Sequence, residues 1–134
     1  METNANTFSL VKKYNVGIIG YGWVATAHIA AINAGAHGQV TAIYSSRKLD
    51  AAELSRKHGT AIETFTDLEA MLARKDIHVV SICSYPKDHA AHAIAAAKAG
   101  KHLIIEKPLA LNWEDCLAIE KAVNAAGVKT CVCF

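Results

Sequence analysis

The chain has 134 residues, of which 52% are apolar and 19% charged, and its net charge is +2. That is enough chain for one domain with its own core, and its few, scattered basic residues argue against nucleic acid or an anionic membrane as a partner. No apolar run is long enough to span a bilayer, and Met1 to Tyr14 lacks the apolar centre of a signal peptide, so the cytoplasm is the expected compartment.

In chain order, residues 1–13 read as a flexible arm, and residues 14–134 read as one domain in which short apolar runs alternate with amphipathic stretches. Val16 to Ile19 is a first strand, Trp23 to Ala34 an alanine-rich helix stopped near Gly35, and Val40 to Tyr44 a second strand. Asp50 caps a helix that runs to His58 and stops at Gly59. Ala61 to Thr64 is a weak third strand, and Thr66 or Asp67 caps a short helix through Arg74. Val79 to Cys83 is a fourth strand, Lys87 to Ala99 a helix closed by Gly100, and His102 to Glu106 a fifth strand. Asn112 caps a helix from Trp113 to Ala126, closed by Gly127, and Val128 to Phe134 is a sixth strand. Strands alternating with helices imply right-handed crossovers and a parallel sheet covered on both faces. The expected α/β fold is doubly wound, of the Rossmann type, with strand order 3-2-1-4-5-6 and ligand at the carboxyl ends of the strands.

The first strand runs into Gly20-Tyr21-Gly22-Trp23-Val24-Ala25, which is G-x-G-x-x-A between a strand and a helix. Gly20 permits the tight turn, Gly22 lets backbone approach a pyrophosphate, and Ala25 lets helix pack closely on strand. The free N–H groups at the start of the helix, near Trp23 and Val24, face the phosphates. A plain tight turn would carry the same glycines, so context and not the pattern alone points to a dinucleotide. Trp23 either covers the cofactor or belongs to the core.

The second strand ends Ala42-Ile-Tyr-Ser-Ser-Arg-Lys48. In NAD-preferring domains an acid stands here, about 20 residues past the glycine turn, and bonds the ribose 2′-hydroxyl. Ser45 occupies that place. Ser46 adds a donor, and Arg47 suits a 2′-phosphate and stacks on adenine. A solvated basic turn is the bland alternative. NADP is the expected cofactor, with NAD the alternative.

Strands one, four and five are neighbours in the expected order, so Gly20, Ser84 and Glu106 end on one rim. The loop Ser84-Tyr85-Pro86-Lys87-Asp88-His89 lies where the nicotinamide half belongs. Lys107 follows the fifth strand on that rim, and its ammonium can bond a substrate hydroxyl beside the nicotinamide. Glu106 can orient that lysine or hold its loop, and Pro108 stiffens the turn. A strand-end salt bridge of little energetic value fits the same residues. Cys83, Cys116, Cys131 and Cys133 read as small core residues. Cys131 and Cys133 point the same way, but no further ligand is spaced to join them, so no metal is expected.

Three stretches carry a resemblance: Val16 to Ala25, Val79 to His89, and Ala99-Gly-Lys-His-Leu-Ile-Ile-Glu-Lys-Pro-Leu-Ala110. The chain resembles the N-terminal domain of the glucose–fructose oxidoreductase, inositol dehydrogenase and rhizopine-catabolism family (Gfo/Idh/MocA). The resemblance covers nearly all of Asn15 to Phe134. It implies an NAD(P)-dependent oxidoreductase of a sugar, cyclitol or related polyol, in which Lys107 contacts the reacting hydroxyl. The family's loop after strand four often reads Thr-Pro-Asn-x-x-His. Ser84 and His89 keep their places, Tyr85 and Pro86 do not, and His89 is read first as a structural residue at the helix start. Family members are much longer and carry a C-terminal substrate domain that often forms an oligomer interface. That domain is absent from this chain, which alone is expected to bind cofactor without turnover. The full-length protein is expected to be a homo-oligomer. A non-catalytic NADP sensor is the alternative of another class, and the lysine of Glu106-Lys107-Pro108 argues against it. An amino-acid-pathway reductase shares the glycine turn but usually lacks Glu-Lys-Pro.

Overall fold

A computed structural model describes residues 12–134. The arm expected over residues 1–13 therefore lies, as far as residue 11, outside the described residues. The elements are β1 (Tyr14–Ile19), α1 (Trp23–Ala34), β2 (Gly38–Tyr44), α2 (Ala51–His58), β3 (Glu63–Phe65) and α3 (Leu68–Leu72). They continue with β4 (Val79–Ile82), a 3-10 turn (Pro86–Asp88), α4 (His89–Lys98), β5 (His102–Glu106), α5 (Trp113–Ala126) and β6 (Thr130–Cys133). All strand pairs are parallel, in order β3-β2-β1-β4-β5-β6. This is the doubly wound arrangement expected from the alternation.

Because side chains alternate across a strand, the sheet feeds two cores. Ile19, Ala42, Val80, Ile82, Leu103 and Ile105 pack with alanines of α4 and with Ile119 of α5 on one face. Val16, Ile18, Val40, Ile43 and Cys83 pack with Ala25 and Ile29 of α1 and Leu54 of α2 on the other. Helix α4 buries Ala93, Ala96 and Ala97 completely, so its backbone lies close to the sheet. Asp50, Asp67 and Asn112 cap α2, α3 and α5 through their side chains, and Gly59 and Gly127 end α2 and α5 in the left-handed conformation. Lys101 is only 6% exposed, and its ammonium donates to the carbonyls of Arg74 and Ile77 at 2.6 and 2.9 Å. The lysine of Ala-Gly-Lys-His thus closes the loop after α3, and its burial lowers its pKa.

Three expectations are corrected. The third strand starts at Glu63, not Ala61. The Ser55 hydroxyl accepts from the Ile62 N–H at 2.9 Å, which diverts that backbone donor from the ladder. The helix after β4 starts at His89, not Lys87, because Pro86 to Asp88 form a tight turn closed by Asp88 N–H to Tyr85 O at 2.9 Å. Of the four cysteines, only Cys83 is a core residue; Cys116 and Cys133 are half-buried and Cys131 is exposed on the edge strand β6.

Candidate functional site

Parallel register brings three strand ends to one level. Ile19 pairs with Ile82 and Ile82 with Ile105, so Gly20, Cys83 and Glu106 follow on neighbouring strands. A cleft of about 810 Å³ opens there, lined by Gly20, Tyr21, Gly22, Trp23, Val24, Tyr44, Ser45, Ser46, Arg47, Cys83, Ser84, Tyr85, Asp88 and His92. It lies across the point where the strand order reverses, with β1–β2 to one side and β4 to the other. That is the place where doubly wound sheets bind ligands.

Gly20 and Gly22 do different work. Gly20 has φ +89°, and a Cβ on it would stand 2.7 Å from Ser84 Cα and 2.8 Å from Ser84 N. The fold itself therefore requires Gly20. A Cβ on Gly22 would have no atom within 4 Å. Packing does not require glycine there, but space is kept open at the start of α1. Gly22 is also the N-cap of α1, with no side-chain cap and no acidic residue in the first turn. The first N–H groups of α1 are left for an anion, and the helix dipole favours one. Open space over uncapped N–H groups suits the pyrophosphate of a dinucleotide.

Of the residues expected to bind cofactor, Gly20, Gly22, Trp23, Val24, Ser45, Ser46, Arg47, Ser84 and Tyr85 line this cleft. Trp23 is 87% exposed, so it belongs to the cleft wall and not to the core. Arg47 donates from Nη2 to the Tyr21 carbonyl at 2.9 Å, which holds its guanidinium against the glycine turn. The Ser45 hydroxyl accepts from the Arg47 N–H at 3.2 Å.

Ala25, Pro86, His89, Glu106 and Lys107 are not in the cleft wall. Ala25 is fully buried and seats α1 on the sheet. His89 is 1% exposed, and its Nδ1 and Nε2 lie 2.7 and 3.0 Å from the carbonyl oxygens of Pro108 and Ser84. Its ring is used to tie the loop after β4 to the loop after β5, which is the structural role. Glu106 does not pair with Lys107. Its carboxylate accepts from His28 Nε2 at 2.8 Å. Lys107 is exposed just past β5 and enters none of the ion pairs among the described residues.

Sequence reasoning missed Tyr44 and His92. The His92 ring meets Ser84 Oγ at 2.8 Å and packs edge-on to Tyr44 at 6.0 Å. Burial lowers its pKa, partly opposed by the Asp88 carboxylate. Tyr44 is the last residue of β2, and His92 sits one turn past His89 on α4; both positions were available as signals. His28, Glu106 and Cys133 form the one set of possible metal donors among the described residues, with their donor atoms within 4.8 Å of one another. Both His28 nitrogens are already engaged, Nε2 with Glu106 and Nδ1 with the Ser81 hydroxyl.

The family description that matches residues 14–134 is an oxidoreductase family with an NAD-binding Rossmann fold. A levoglucosan dehydrogenase of Pseudarthrobacter phenanthrenivorans is 36% identical over 132 residues, covering 92% of this chain and 34% of that protein. An inositol 2-dehydrogenase of Pseudomonas savastanoi pv. phaseolicola is 34% identical over 113 residues, covering 84% of this chain and 34% of that protein. The crystal structure of the WlbA dehydrogenase from Bordetella pertussis, in complex with NADH and UDP-GlcNAcA, aligns with a TM-score of 0.81 at 30% identity, covering 90% of this chain and 36% of that one. The chain thus spans about a third of the length of these relatives. Matched over all its elements, with a nucleotide cleft at its glycine turn, the chain belongs to the Gfo/Idh/MocA family of oxidoreductases and is its NAD-binding Rossmann domain.

Proposed function

We propose that this domain binds NADP in the cleft at the β1–α1 turn, as the cofactor-binding part of an oxidoreductase acting on a sugar, cyclitol or related polyol. The observation that carries the reading is the open space over Gly22 at an uncapped helix N-terminus, with Ser45, Ser46 and Arg47 in the wall of the same cleft. The dinucleotide supplies or accepts hydride at its nicotinamide when bound. The chain's residues do the rest. The first turn of α1 holds the pyrophosphate through backbone N–H groups. Ser84 and Tyr85 border the nicotinamide half. Lys107 presents its side-chain nitrogen to the reacting hydroxyl: as the neutral amine it takes the hydroxyl proton on oxidation, and as the ammonium it returns that proton on reduction. Substrate contacts come from a second domain, as the greater length of the relatives suggests. The names of the inositol and levoglucosan dehydrogenases support a polyol or sugar substrate. Four unpaired cysteines suit a reducing cytoplasm. A protein extended to the relatives' length should reduce NADP⁺ when given inositol, levoglucosan or a related polyol. If no member of such a panel is oxidised, the proposed substrate class is wrong.

The preference for NADP rests on the end of β2. An aspartate at position 45 would repel a 2′-phosphate, whereas Ser45 and Ser46 can donate to it and Arg47 can pair with it. Titration of the chain with both cofactors should show tighter binding of NADP. Ser45→Asp should reverse that order. Arg47→Ala should weaken NADP by about 1.5–3 kcal/mol, the range for a hydrogen bond to a charged group, and leave NAD nearly unchanged. Tighter NAD binding by the unsubstituted chain would overturn the preference.

A further inference from the structure

The acid of Glu106-Lys107-Pro108 is not a partner of the lysine beside it. Glu106 turns to the α1 face of the sheet, and its Oε1 accepts from His28 Nε2 at 2.8 Å. The other nitrogen of the same ring, Nδ1, meets the hydroxyl of Ser81 at 2.8 Å. Ser81 is fully buried in β4, and the His28 and Glu106 side chains are 13% and 17% exposed. With Nε2–H donating to the carboxylate, Nδ1 is left to accept from the Ser81 hydroxyl, so the partners on both sides fix ring orientation and tautomer.

The three residues come from three elements. Ser81 lies in the central strand β4, His28 in α1, and Glu106 is the last residue of β5. Helix α1 begins at the dinucleotide turn. Strand β5 ends one residue before Lys107. The hydrogen-bonded chain therefore joins the element that holds the pyrophosphate to the element that presents the lysine. Among the described residues, His28 is the only side chain of α1 that hydrogen-bonds to β5.

We propose that His28 is a positioning residue, which fixes the end of β5, and so Lys107, relative to the cofactor-binding turn. This rests on the role given to Lys107 in the proposed function. Without the imidazole, the Glu106 carboxylate is left part-buried with Cys133 Sγ as its remaining close neighbour in the cluster. An unpaired carboxylate in that setting turns to water and takes the strand end with it. Lys107 then loses its fixed starting point, while the N–H groups at the start of α1 stay where they are.

The test pairs His28→Phe, which removes both bonds, with His28→Gln, whose amide can still donate to Glu106. In the 134-residue chain, His28→Phe should speed hydrogen exchange across residues 104–110 about tenfold or more and leave α2 and α5 unchanged, as local opening does. NADPH affinity, followed by nucleotide fluorescence, should change less than about threefold, because the dinucleotide turn is untouched. In the extended protein, with a polyol from the panel above, His28→Phe should lower kcat about 10- to 100-fold, the scale of a misplaced reacting group. His28→Gln should recover most of it. In a Lys107→Met background the same substitution should cost less than about threefold, because both changes remove one function. Should His28→Phe fail to fold, His28→Asn, which keeps the bond to Ser81 and loses that to Glu106, carries the same expectations. Unchanged exchange over residues 104–110 overturns the proposal, as does a loss of kcat that persists in full without Lys107. Normal turnover by His28→Phe beside a crippled Lys107→Met sinks this inference alone. Normal turnover by Lys107→Met removes the proposed role of Lys107 and this inference with it.

Discussion

In the protein extended to the relatives' length, replacing Lys107 by methionine should lower kcat with a polyol of the panel above by about 100-fold or more, the effect of losing a positioned proton-transfer group. Lys107 follows β5 directly and is exposed, and no carboxylate among the described residues neutralises it. A strand-end lysine of purely structural use would be expected to pair with Glu106, which precedes it. Glu106 pairs with His28 instead, so the ammonium is left free for a substrate oxygen. Methionine keeps the length and apolar stem of the side chain and removes only the charge and the donors. NADP affinity should therefore change little. Near-normal turnover by the variant, with cofactor saturating, would return Lys107 to the role of a solvated surface residue.

Gly20→Ala should have the largest effect on the fold. The backbone at Gly20 is in the left-handed region, at φ +89°, which already strains any other residue. The added methyl would also stand 2.7 Å from Ser84 Cα. That neighbour is backbone of the adjacent strand end and cannot rotate aside. Relief requires parting β1 from β4, whose ladder carries the middle of the sheet. Strain and overpacking together should cost about 3 kcal/mol or more, visible as a fall in Tm and an earlier urea midpoint. Loss of cofactor binding follows, since Gly20 also forms the cleft floor. A variant as stable as the parent chain would mean that the turn can adopt another path.

Most of the fold was legible because its signals are local. Apolar runs bounded by Asp50, Asp67 and Asn112 as caps and by Gly59 and Gly127 as stops mark the elements. The right-handed crossover rule then supplies the order of the sheet. The weak points were those where one side chain reaches into another element's backbone. Ser55 delays β3 by binding Ile62, and no propensity records that. The cleft was legible in part for the same reason. The glycine turn, the end of β2 and the first loop after β4 are contiguous stretches of sequence. Gly20 carries the positive φ of a tight turn, and no protein atom lies within 4 Å of a Cβ built on Gly22.

What the sequence hid is the pairing of distant side chains. His28 and Glu106 are separated by 78 positions, and Ser84 and His92 by eight. A histidine on the inner side of an alanine-rich helix was a usable signal, because a polar group on a buried face must find a partner. Which partner it finds depends on the strand order and register, which only the folded chain supplies. The neighbouring letters Glu106 and Lys107 suggested a pair. Glu106, the last residue of β5, bonds His28 of α1, and Lys107 already lies beyond the strand's end.

On the proposed function, the space over Gly22 takes the pyrophosphate of a dinucleotide. Calorimetric titration of the 134-residue chain with NADP⁺, alongside its Gly22→Ala variant, tests it most directly. The extra methyl meets no protein atom within 4 Å, so the variant should keep the parent's Tm to within a few degrees, as expected for about 1 kcal/mol when alanine replaces glycine at an N-cap. Its affinity for NADP⁺ should fall about tenfold or more, the effect of some 1.4 kcal/mol of lost binding where backbone must approach the pyrophosphate. Absence of NADP⁺ and NAD⁺ binding by the parent chain, or undiminished binding by a stable Gly22→Ala variant, would mean that the space over Gly22 does not hold a dinucleotide.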